Sequence, residues 1–310
     1  MDNRKDLRER YMSGTYQGKP LKNSDKFIDA VSKKGSSLEN LNFKKNVIGS
    51  DETGIGEVFR PSIVVAAYVK KENVEELIKM NIRDSKSYEV RVKGDERMTY
   101  ELTKKKICDI GKELTGFTSY ADFEKQRENG AVIEKAYVTF AANVIPNGVY
   151  NEKWKSEKTE KGCLSKYELM REWHAAAVKS LAKEVEYDYV VVDNFEDSHP
   201  ENIQKAIDLP EDKMIICRKA DGFAVAVACA SVIAKYLGYL YMEKLAADHK
   251  LDEFEDLGKT GEFTTEMCDQ LWKKTENPRQ FFKNHIKKFN NVVDCLNVKE
   301  EGLGKLYDEA

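Results

Sequence analysis

The chain has 310 residues, of which 41% are hydrophobic, 10% aromatic and 34% charged. Its 51 Lys and Arg nearly balance 54 Asp and Glu, which leaves a formal net charge of -3. So many aromatic and hydrophobic residues exclude a chain that is disordered throughout, and the length allows one large domain or two small ones. A charge near zero excludes a global positive field, so any nucleic acid would have to bind through local patches.

The apolar runs are too short to predict a membrane-spanning helix. The longest candidates are Ser62–Val69 and Phe223–Ala234, below the roughly 18 apolar residues that a span requires. Met1–Arg10 is charged and lacks the apolar centre of a signal peptide. We therefore expect a cytoplasmic protein with no membrane partner. The six cysteines form no CxxC pair, and with only four histidines the usual zinc sites are excluded.

The charge is unevenly distributed along the chain. Residues 1–46 carry 11 Lys and Arg against 6 Asp and Glu, a net of +5, which leaves -8 for the rest. This composition predicts a basic N-terminal arm, and such termini are commonly poorly ordered. The arm is also a candidate for attraction to phosphate groups.

Apolar periodicity and Gly or Pro breaks predict the elements that follow the arm. In chain order they are a strand at 46–51, a tight glycine-rich turn, a strand at 61–69, helices at 72–80 and 94–112, a strand at 117–123, a helix at 128–144, an inserted surface loop at 146–168, a helix at 168–185, strands at 187–193 and 214–218, and helices at 222–247 and 264–289. Residues 292–310 form a weakly specified C-terminal tail.

Four carboxylates lie where predicted strands end or a predicted helix begins. They are Asp51 and Glu52 after the first strand, Asp193 after the Val-Val-Val strand, and Asp221 before the Ala-rich helix. Open α/β sheets bind ligands at such positions, although Asp also commonly starts a turn or caps a helix. Converging carboxylates repel each other unless a hard cation neutralises them, and oxygen ligands without Cys or His suit Mg²⁺ or Mn²⁺. A pair of such ions promotes in-line displacement at a phosphodiester.

The residues around these carboxylates resemble a known family. Ile48–Phe59 reads Ile-Gly-Ser-Asp-Glu-Thr-Gly-Ile-Gly-Glu-Val-Phe and resembles the opening motif of prokaryotic type 2 ribonucleases H, most closely the type 3 branch, ribonuclease HIII. Further segments resemble family motifs in the family's order: Arg83–Lys86, Val191–Asp193, Lys219–Asp221 followed by Ala230–Lys235 and, at the C-terminal end of the resemblance, His285–Asn291.

The resemblance implies an α/β chain with an RNase H-like fold, in which helices flank a mixed central sheet and helical additions follow at the C-terminal end. It implies one catalytic domain over 47–291, acting as a monomeric endonuclease that cuts the RNA strand of an RNA–DNA hybrid and leaves 5′-phosphate and 3′-hydroxyl ends. Asp51, Glu52, Asp193 and Asp221 would hold two divalent ions, Mg²⁺ or Mn²⁺. One ion would activate the attacking water, and the other would stabilise the leaving oxygen.

The resemblance also implies substrate-binding residues. Adjacent residues on a regular strand face opposite ways, so Asp51 and Glu52 share one site only if the chain turns at Glu52, a turn that Gly54 and Gly56 would supply. The backbone of Gly54, Ile55 and Gly56 would approach the minor groove of the hybrid and recognise 2′-hydroxyls. The alternative for these glycines is an ordinary hairpin turn.

Three side chains are implied as further contacts to the substrate. They are Lys86, Ser231 and Lys235. The alternatives are a solvated loop lysine for Lys86, and helix packing with an amine that extends to solvent for the other two. His174 and His199 are expected to be structural or exposed.

The chain departs from the family pattern at several positions. Arg60 stands where the family usually has glycine before proline, and Ile55 replaces the Arg of type 2 and the Thr of type 3. Tyr236–Tyr239 replaces the Thr-Arg-Asp of type 2, which argues against recognition of a single embedded ribonucleotide. Only 46 residues precede the predicted catalytic domain, too few for the N-terminal platform domain of type 3 proteins, so the basic arm is expected to attract phosphate instead.

Two other functions remain compatible with the sequence. A related two-metal nuclease acting on another nucleic acid would keep the four acids. A hybrid-binding module without catalysis would keep the fold with a degraded site, and the presence of all four acids argues against it.

Overall fold

The computed structural model describes residues 44–83, 85–156, 166–196, 199–218, 220–222, 224–252, 273–275, 281 and 283. The basic arm, the helix predicted at 264–289 and the C-terminal tail lie wholly or mostly outside these residues. The chain divides into two compact units. The first comprises the chain up to Thr53, Ile63–Val144 and Leu164–Tyr239, and the second comprises Gly54–Ser62, Ile145–Cys163 and the chain from Leu240 onwards.

A six-stranded mixed sheet forms the centre of the fold. Its strands are β1 (Val47–Thr53), β2 (Ser62–Val69), β3 (Val132–Glu134), β4 (Thr139–Ile145), β5 (Tyr189–Asp193) and β6 (Met214–Cys217). Their order across the sheet is β3-β4-β2-β1-β5-β6. β1 runs antiparallel to β2 and parallel to β5, which is parallel to β6. All of β2 is buried, which explains why it reads as a continuous apolar run.

Seven α-helices accompany the sheet in the described part of the chain. They are α1 (Val74–Lys79), α2 (Glu96–Thr115), α3 (Tyr120–Glu128), α4 (Asn147–Ser156), α5 (Lys166–Ala182), α6 (Pro200–Ile207) and α7 (Val225–His249). The helices predicted near the positions of α1, α2, α5 and α7 are confirmed. The two ends of α2 show why: Asp95 accepts a hydrogen bond from Met98 N over 2.8 Å, and Gly116, with φ 69°, ends the helix.

Helix α7 packs against β1 at a glycine. A Cβ on Gly49 would lie 2.2 Å from Val227 N, so no larger residue permits this approach. α7 is also the helix, among the described residues, that has the length and composition to cross a membrane, but 89% of its most apolar window is buried inside the protein. That burial is the property of a core helix.

The strand predicted at 117–123 is wrong. Phe117 precedes α3, and Ser119 starts the helix with a capping box: Ser119 Oγ accepts from Asp122 N, and the Asp122 carboxylate accepts from Ser119 N. The aromatic residues of this segment favour a strand by composition, but the reciprocal cap satisfies the first N–H groups of a helix.

The helix predicted at 128–144 is also wrong, since this segment contains β3 and most of β4. The two strands pair Val132 with Ala141, a contact that local periodicity does not reveal. The segment 146–168, predicted as an inserted surface loop, begins with α4, in which Asn147 and Tyr150 are buried. Asn147 and Tyr150 give α4 a buried side. The many charged residues of the segment favour a surface loop and give no sign of it.

Candidate active site

The register of the sheet brings two of the four carboxylates together. The parallel strands β1 and β5 pair Ser50 with Val192, so the next residue on each strand, Asp51 and Asp193, reaches the same edge of the sheet. On the other side of β5, Cys217 of β6 pairs with Asp193. The convergence expected of Asp51 and Asp193 therefore follows from strand register.

Asp221 reaches this edge through a short turn after β6. Ala220–Gly222 forms one 3₁₀ turn, and Asp221 is buried. The N–H of Ala220 donates to Asp193 Oδ1 over 3.0 Å, which attaches the turn to the end of β5. Burial is the largest cause of the raised pKa of the Cys217 thiol, followed by the charges of Asp193 and Asp221. Both carboxylates therefore lie close enough to Cys217 to oppose its ionisation.

Asp51 and Glu52 lie on opposite faces of the sheet, so the turn predicted at Glu52 is wrong. β1 continues through Thr53, which still pairs with β2. Alternation along the strand directs Asp51 towards α7, where it hydrogen-bonds with Ser231. It directs Glu52 towards α5, where Glu52 Oε2 lies 3.2 Å from His174 Nε2.

His174 is a site residue that the sequence does not reveal. It is fully buried, its Nδ1 lies 2.8 Å from Ser50 Oγ, and its ring stacks on Phe195 with centroids 4.7 Å apart. A lone histidine on the apolar face of a helix has no local motif, because only the packing of α5 on β1 brings it to Glu52. His199 is exposed, as predicted.

The hydrogen bonds of Ser50 admit two tautomers of His174. If Ser50 donates to Val65 O, 3.1 Å away, then Nδ1–H of His174 donates to Ser50 and the bare Nε2 faces Glu52, which suits a protonated carboxyl. If Ser50 donates to Nδ1, the hydrogen on Nε2 faces Glu52 and suits an ionised one. Despite their short separation, His174 Nε2 and Glu52 Oε2 are buried and form no well-aligned hydrogen bond within the described residues.

Burial and mutual repulsion raise the pKa values of the carboxylates. Burial is the largest cause for Asp51, whose pKa lies well above its usual range, followed by the charges of Glu52 and Asp193. The pKa of Glu52 rises from 4.5 to about 8 through burial and the charge of Asp193, while Lys86 opposes the rise. Burial lowers the pKa of His174 to about 3, so its ring is neutral near pH 7. A bound cation would lower the raised pKa values of Asp51 and Glu52.

The donor set suits a hard divalent cation. Its members offer carboxylate oxygens, and the buried Glu52 Oε2 has no hydrogen-bond partner in the described part of the chain. Over the same residues, no three His, Cys, Asp or Glu side chains are arranged to hold a metal ion as they stand. The two carboxylates of Asp51 and Glu52 leave β1 on different faces, which partly explains why no such group of three ligands forms.

The other predicted contact residues of the first unit lie near these carboxylates. Ser231 is buried; its side chain hydrogen-bonds with Asp51, and its Oγ lies 2.9 Å from Ser85 Oγ, within hydrogen-bond distance. Lys86 follows in the same 3₁₀ turn as Ser85, and its charge acts on Glu52. Lys235 is half-buried one helical turn after Ser231. Two neighbouring motif residues lie outside the described residues, Asp84 and Lys219.

The glycine motif belongs to the second unit. The tight turn predicted between β1 and β2 is instead a connection of residues 54–61. Gly54 has φ +83°, and a Cβ there would lie 1.9 Å from Pro61 O, so the local fold requires glycine. Ile55 is half-buried and Gly56 is exposed, and a Cβ on Gly56 would meet no atom within 4 Å. The fold therefore explains Gly54 but gives no steric reason for Gly56.

Comparison with known proteins identifies a family. The family model described as Ribonuclease HII matches residues 48–289. Ribonuclease HIII of Staphylococcus saprophyticus is 26% identical over 237 residues, which cover 75% of this chain and 64% of that protein. Ribonuclease HIII of Macrococcus caseolyticus is 27% identical over 221 residues, covering 70% and 58%. The chain thus spans less than two thirds of the length of these curated relatives.

Solved structures share the architecture. Bst-RNase HIII in complex with Mn²⁺ superimposes with a TM-score of 0.57 at 20% identity, covering 92% of this chain and 75% of that one. A mutant form of Bst-RNase HIII gives the same TM-score of 0.57 at 19% identity, with the same coverage. These neighbours confirm the expected RNase H-like fold with a mixed sheet flanked by helices. Because the family model matches most of the chain, the protein belongs to the ribonuclease HII family, and within that family it is similar to ribonuclease HIII.

Proposed function

We propose that the protein is a metal-dependent endoribonuclease that cleaves the RNA strand of RNA–DNA hybrids. The observation that carries the proposal is the meeting of Asp51 and Asp193 at one sheet edge, with Asp221 joined to it by the turn after β6. In a member of the ribonuclease HII family, buried carboxylates that raise each other's pKa are best explained as ligands of divalent cations.

We infer that Asp51, Glu52, Asp193 and Asp221 hold two divalent ions, Mg²⁺ or Mn²⁺. Bound ions of this kind supply an activated water and stabilise the charge on the leaving oxygen, which gives 5′-phosphate and 3′-hydroxyl ends. The carboxylates must lose their protons to act as ligands. Glu52 has to reach the ions from the face of the sheet that also carries His174, whose two tautomers suit the protonated and the ionised carboxyl.

The backbone and side chains named by the family motifs are the proposed contacts to substrate. Lys86 is a cation close enough to affect Glu52 and so suits a phosphate near the reacting bond. Ser231 and Lys235 occupy successive turns of α7. The exposed backbone around Ile55 and Gly56 is proposed to hydrogen-bond 2′-hydroxyls of the RNA strand.

Single embedded ribonucleotides are not the proposed substrate. The segment that replaces the type 2 Thr-Arg-Asp is taken up by packing: Tyr236 is buried and its hydroxyl donates to Phe117 O over 2.7 Å, while Tyr239 is buried against the ring of Tyr100. Both tyrosine side chains therefore pack inside the protein and are not proposed to contact a nucleotide.

The experiment that tests this function is cleavage mapping on a panel of duplexes. We expect a continuous RNA–DNA hybrid to be cut in its RNA strand with Mg²⁺ or Mn²⁺, and not in EDTA. A duplex with one ribonucleotide, double-stranded RNA and double-stranded DNA should be cut far more slowly. Preferential cleavage of another duplex would instead support a related nuclease, and no cleavage with any metal would support a binding module. Either result would overturn the proposal.

Replacing Gly56 with alanine separates binding from folding. Because a Cβ at Gly56 meets no atom within 4 Å, Gly56→Ala is expected to leave the melting temperature unchanged or slightly raised. The added methyl group should hold the minor groove away and weaken hybrid binding about tenfold, measured by fluorescence anisotropy in EDTA. Gly54→Ala is the matched contrast, since strain at φ +83° should destabilise the protein by about 1–3 kcal/mol. Unchanged affinity in Gly56→Ala would count against a backbone contact at this position.

A further inference from the structure

A buried lysine in the second unit hydrogen-bonds with the glycine connection, which is the segment 54–61 between β1 and β2. Lys283 is 1% exposed, and its ammonium donates to Gly54 O over 2.7 Å, to Glu57 O over 3.0 Å and to Arg60 O. Its backbone N–H donates to Val58 O over 3.1 Å. One residue from the C-terminal part of the chain thus makes four hydrogen bonds to residues 54–60.

A buried asparagine holds the same connection from α4. Asn147 is 3% exposed, and its side-chain amide donates a hydrogen to Phe59 O over 2.7 Å, a hydrogen that Val58 O, 3.3 Å away, shares. The same nitrogen also donates to Phe281 O over 2.8 Å. Asn147 therefore links the connection to the segment that carries Lys283.

The two side chains occupy carbonyl groups and leave the tip of the connection accessible. Together with the backbone N–H of Lys283, they engage the carbonyls of five residues, 54, 57, 58, 59 and 60. The N–H of Glu57 donates to Gly54 O over 3.2 Å and closes the turn. Within the described residues, the N–H groups of Ile55 and Gly56 donate to no other backbone group. Gly56 itself is exposed.

The chemistry of Lys283 is costly for a purely structural contact. Burial lowers the pKa of Lys283 to about 7, Glu57 opposes that shift and Arg60 adds to it. Three carbonyl acceptors match the three N–H groups of an ammonium, whereas an apolar side chain would pack here without losing solvation. In some proteins buried polar groups of this kind are retained for the conformation that they specify, and the bonds of Lys283 to three carbonyls of one connection fit that role.

We propose that Lys283 and Asn147 are positioning residues that hold residues 54–60 in the conformation whose exposed backbone binds the RNA strand. The inference rests on the proposed function, because it names the device that prepares the substrate-binding connection of the same enzyme. Neither Lys283 nor Asn147 is proposed to contact the reacting phosphate. Both act on affinity for the hybrid and not on the chemical step.

The test compares Lys283→Met and Asn147→Leu, which remove the donors but keep an unbranched chain at 283 and a γ-branched side chain at 147. For each variant we expect KM for the hybrid to rise about tenfold with kcat within about threefold of wild type. Anisotropy in EDTA should show the same loss of affinity for hybrid, with little change for double-stranded DNA, which has no 2′-hydroxyl. Two independent variants are used so that a folding defect in one, detected by circular dichroism, leaves the other as the test.

The matched control is Ile107→Val, a buried change in α2 of the first unit, expected to cost about 0.5–1.5 kcal/mol of stability with no change in KM. An unchanged KM in a folded Lys283→Met or Asn147→Leu protein, or an equal loss of hybrid and DNA affinity, would overturn the inference while the proposed function stands. A wild-type protein that cleaves no hybrid would overturn both.

Discussion

Replacing Asp51 with asparagine is expected to abolish hybrid cleavage while increasing the stability of the metal-free protein. Losing a proposed metal ligand should cost more than the roughly 10- to 100-fold typical of an outer partner, so we expect a loss of at least about 100-fold in kcat. The amide keeps an oxygen that can accept from Glu52 N, the bond that Asp51 Oδ1 accepts over 2.8 Å. Cleavage is measured by gel on a labelled hybrid.

The stability gain follows from the repulsion around Asp51. This carboxyl is only 7% exposed, and burial and the charges of Glu52 and Asp193 oppose its ionisation. At pH 8 without metal, the neutral amide removes that cost, so the melting temperature should rise by about 2 °C or more. Asp109→Asn, the same change at an exposed residue of α2, is the control and should alter neither property. Undiminished cleavage by Asp51→Asn would exclude Asp51 from the reaction.

Removing divalent ions is expected to make stability depend on pH through Glu52. Its pKa is raised from 4.5 to about 8 in the folded protein, so between these values the fold keeps a proton that the unfolded chain has lost. The stabilisation from that proton is complete below about pH 4.5 and is lost as the pH rises through 8. Relative to Glu52→Gln, which does not titrate, the metal-free wild type should therefore lose stability on the order of a few kcal/mol between pH 5 and pH 9.

The comparison with Glu52→Gln removes the effect of groups whose titration does not depend on Glu52. Lys283 also has a shifted pKa, but Glu52 is not among the causes of that shift, so its effect cancels in the difference. Asp51 does not cancel, because the charge of Glu52 contributes to its raised pKa, so the difference reports the two neighbouring carboxyl groups together. Because ligands must be ionised, Mn²⁺ or Mg²⁺ should raise the wild-type melting temperature more at pH 8 than at pH 5. Urea unfolding at each pH gives the free energies. A wild type that gains stability relative to Glu52→Gln as the pH rises would contradict this assignment.

The positions of the acids could be predicted because they depend on short signals. Asp51 and Asp193 each follow an apolar run, and the end of a buried strand is visible in the residues themselves. The helix predicted at 94–112 exists as α2, although its C-terminal end lies three residues further on, before Gly116. The predictions failed at β3 and β4, because a short strand is stabilised by its partner and not by its own composition.

The directions of the side chains could not be predicted in the same way. The sequence motif suggests that Asp51 and Glu52 turn into one site, but pairing with β2 keeps β1 regular through Thr53. The two carboxylates therefore leave on opposite faces. Whether a strand turns depends on its neighbour in the sheet, and that neighbour is not visible in the motif.

The sequence by itself determined the family, the carboxylates at the strand ends and the glycine connection, because each is written in consecutive residues. Only the tertiary structure decided that His174 faces Glu52 and that Lys283 holds the glycine connection, across separations of 124 residues for Ser50 and His174 and 229 for Gly54 and Lys283. Such contacts depend on strand register and helix packing, which local periodicity does not encode. The physical reason is burial: both side chains are buried polar groups whose hydrogen-bond partners, Ser50 for His174 Nδ1 and the carbonyl of Gly54 for Lys283, come from distant parts of the chain.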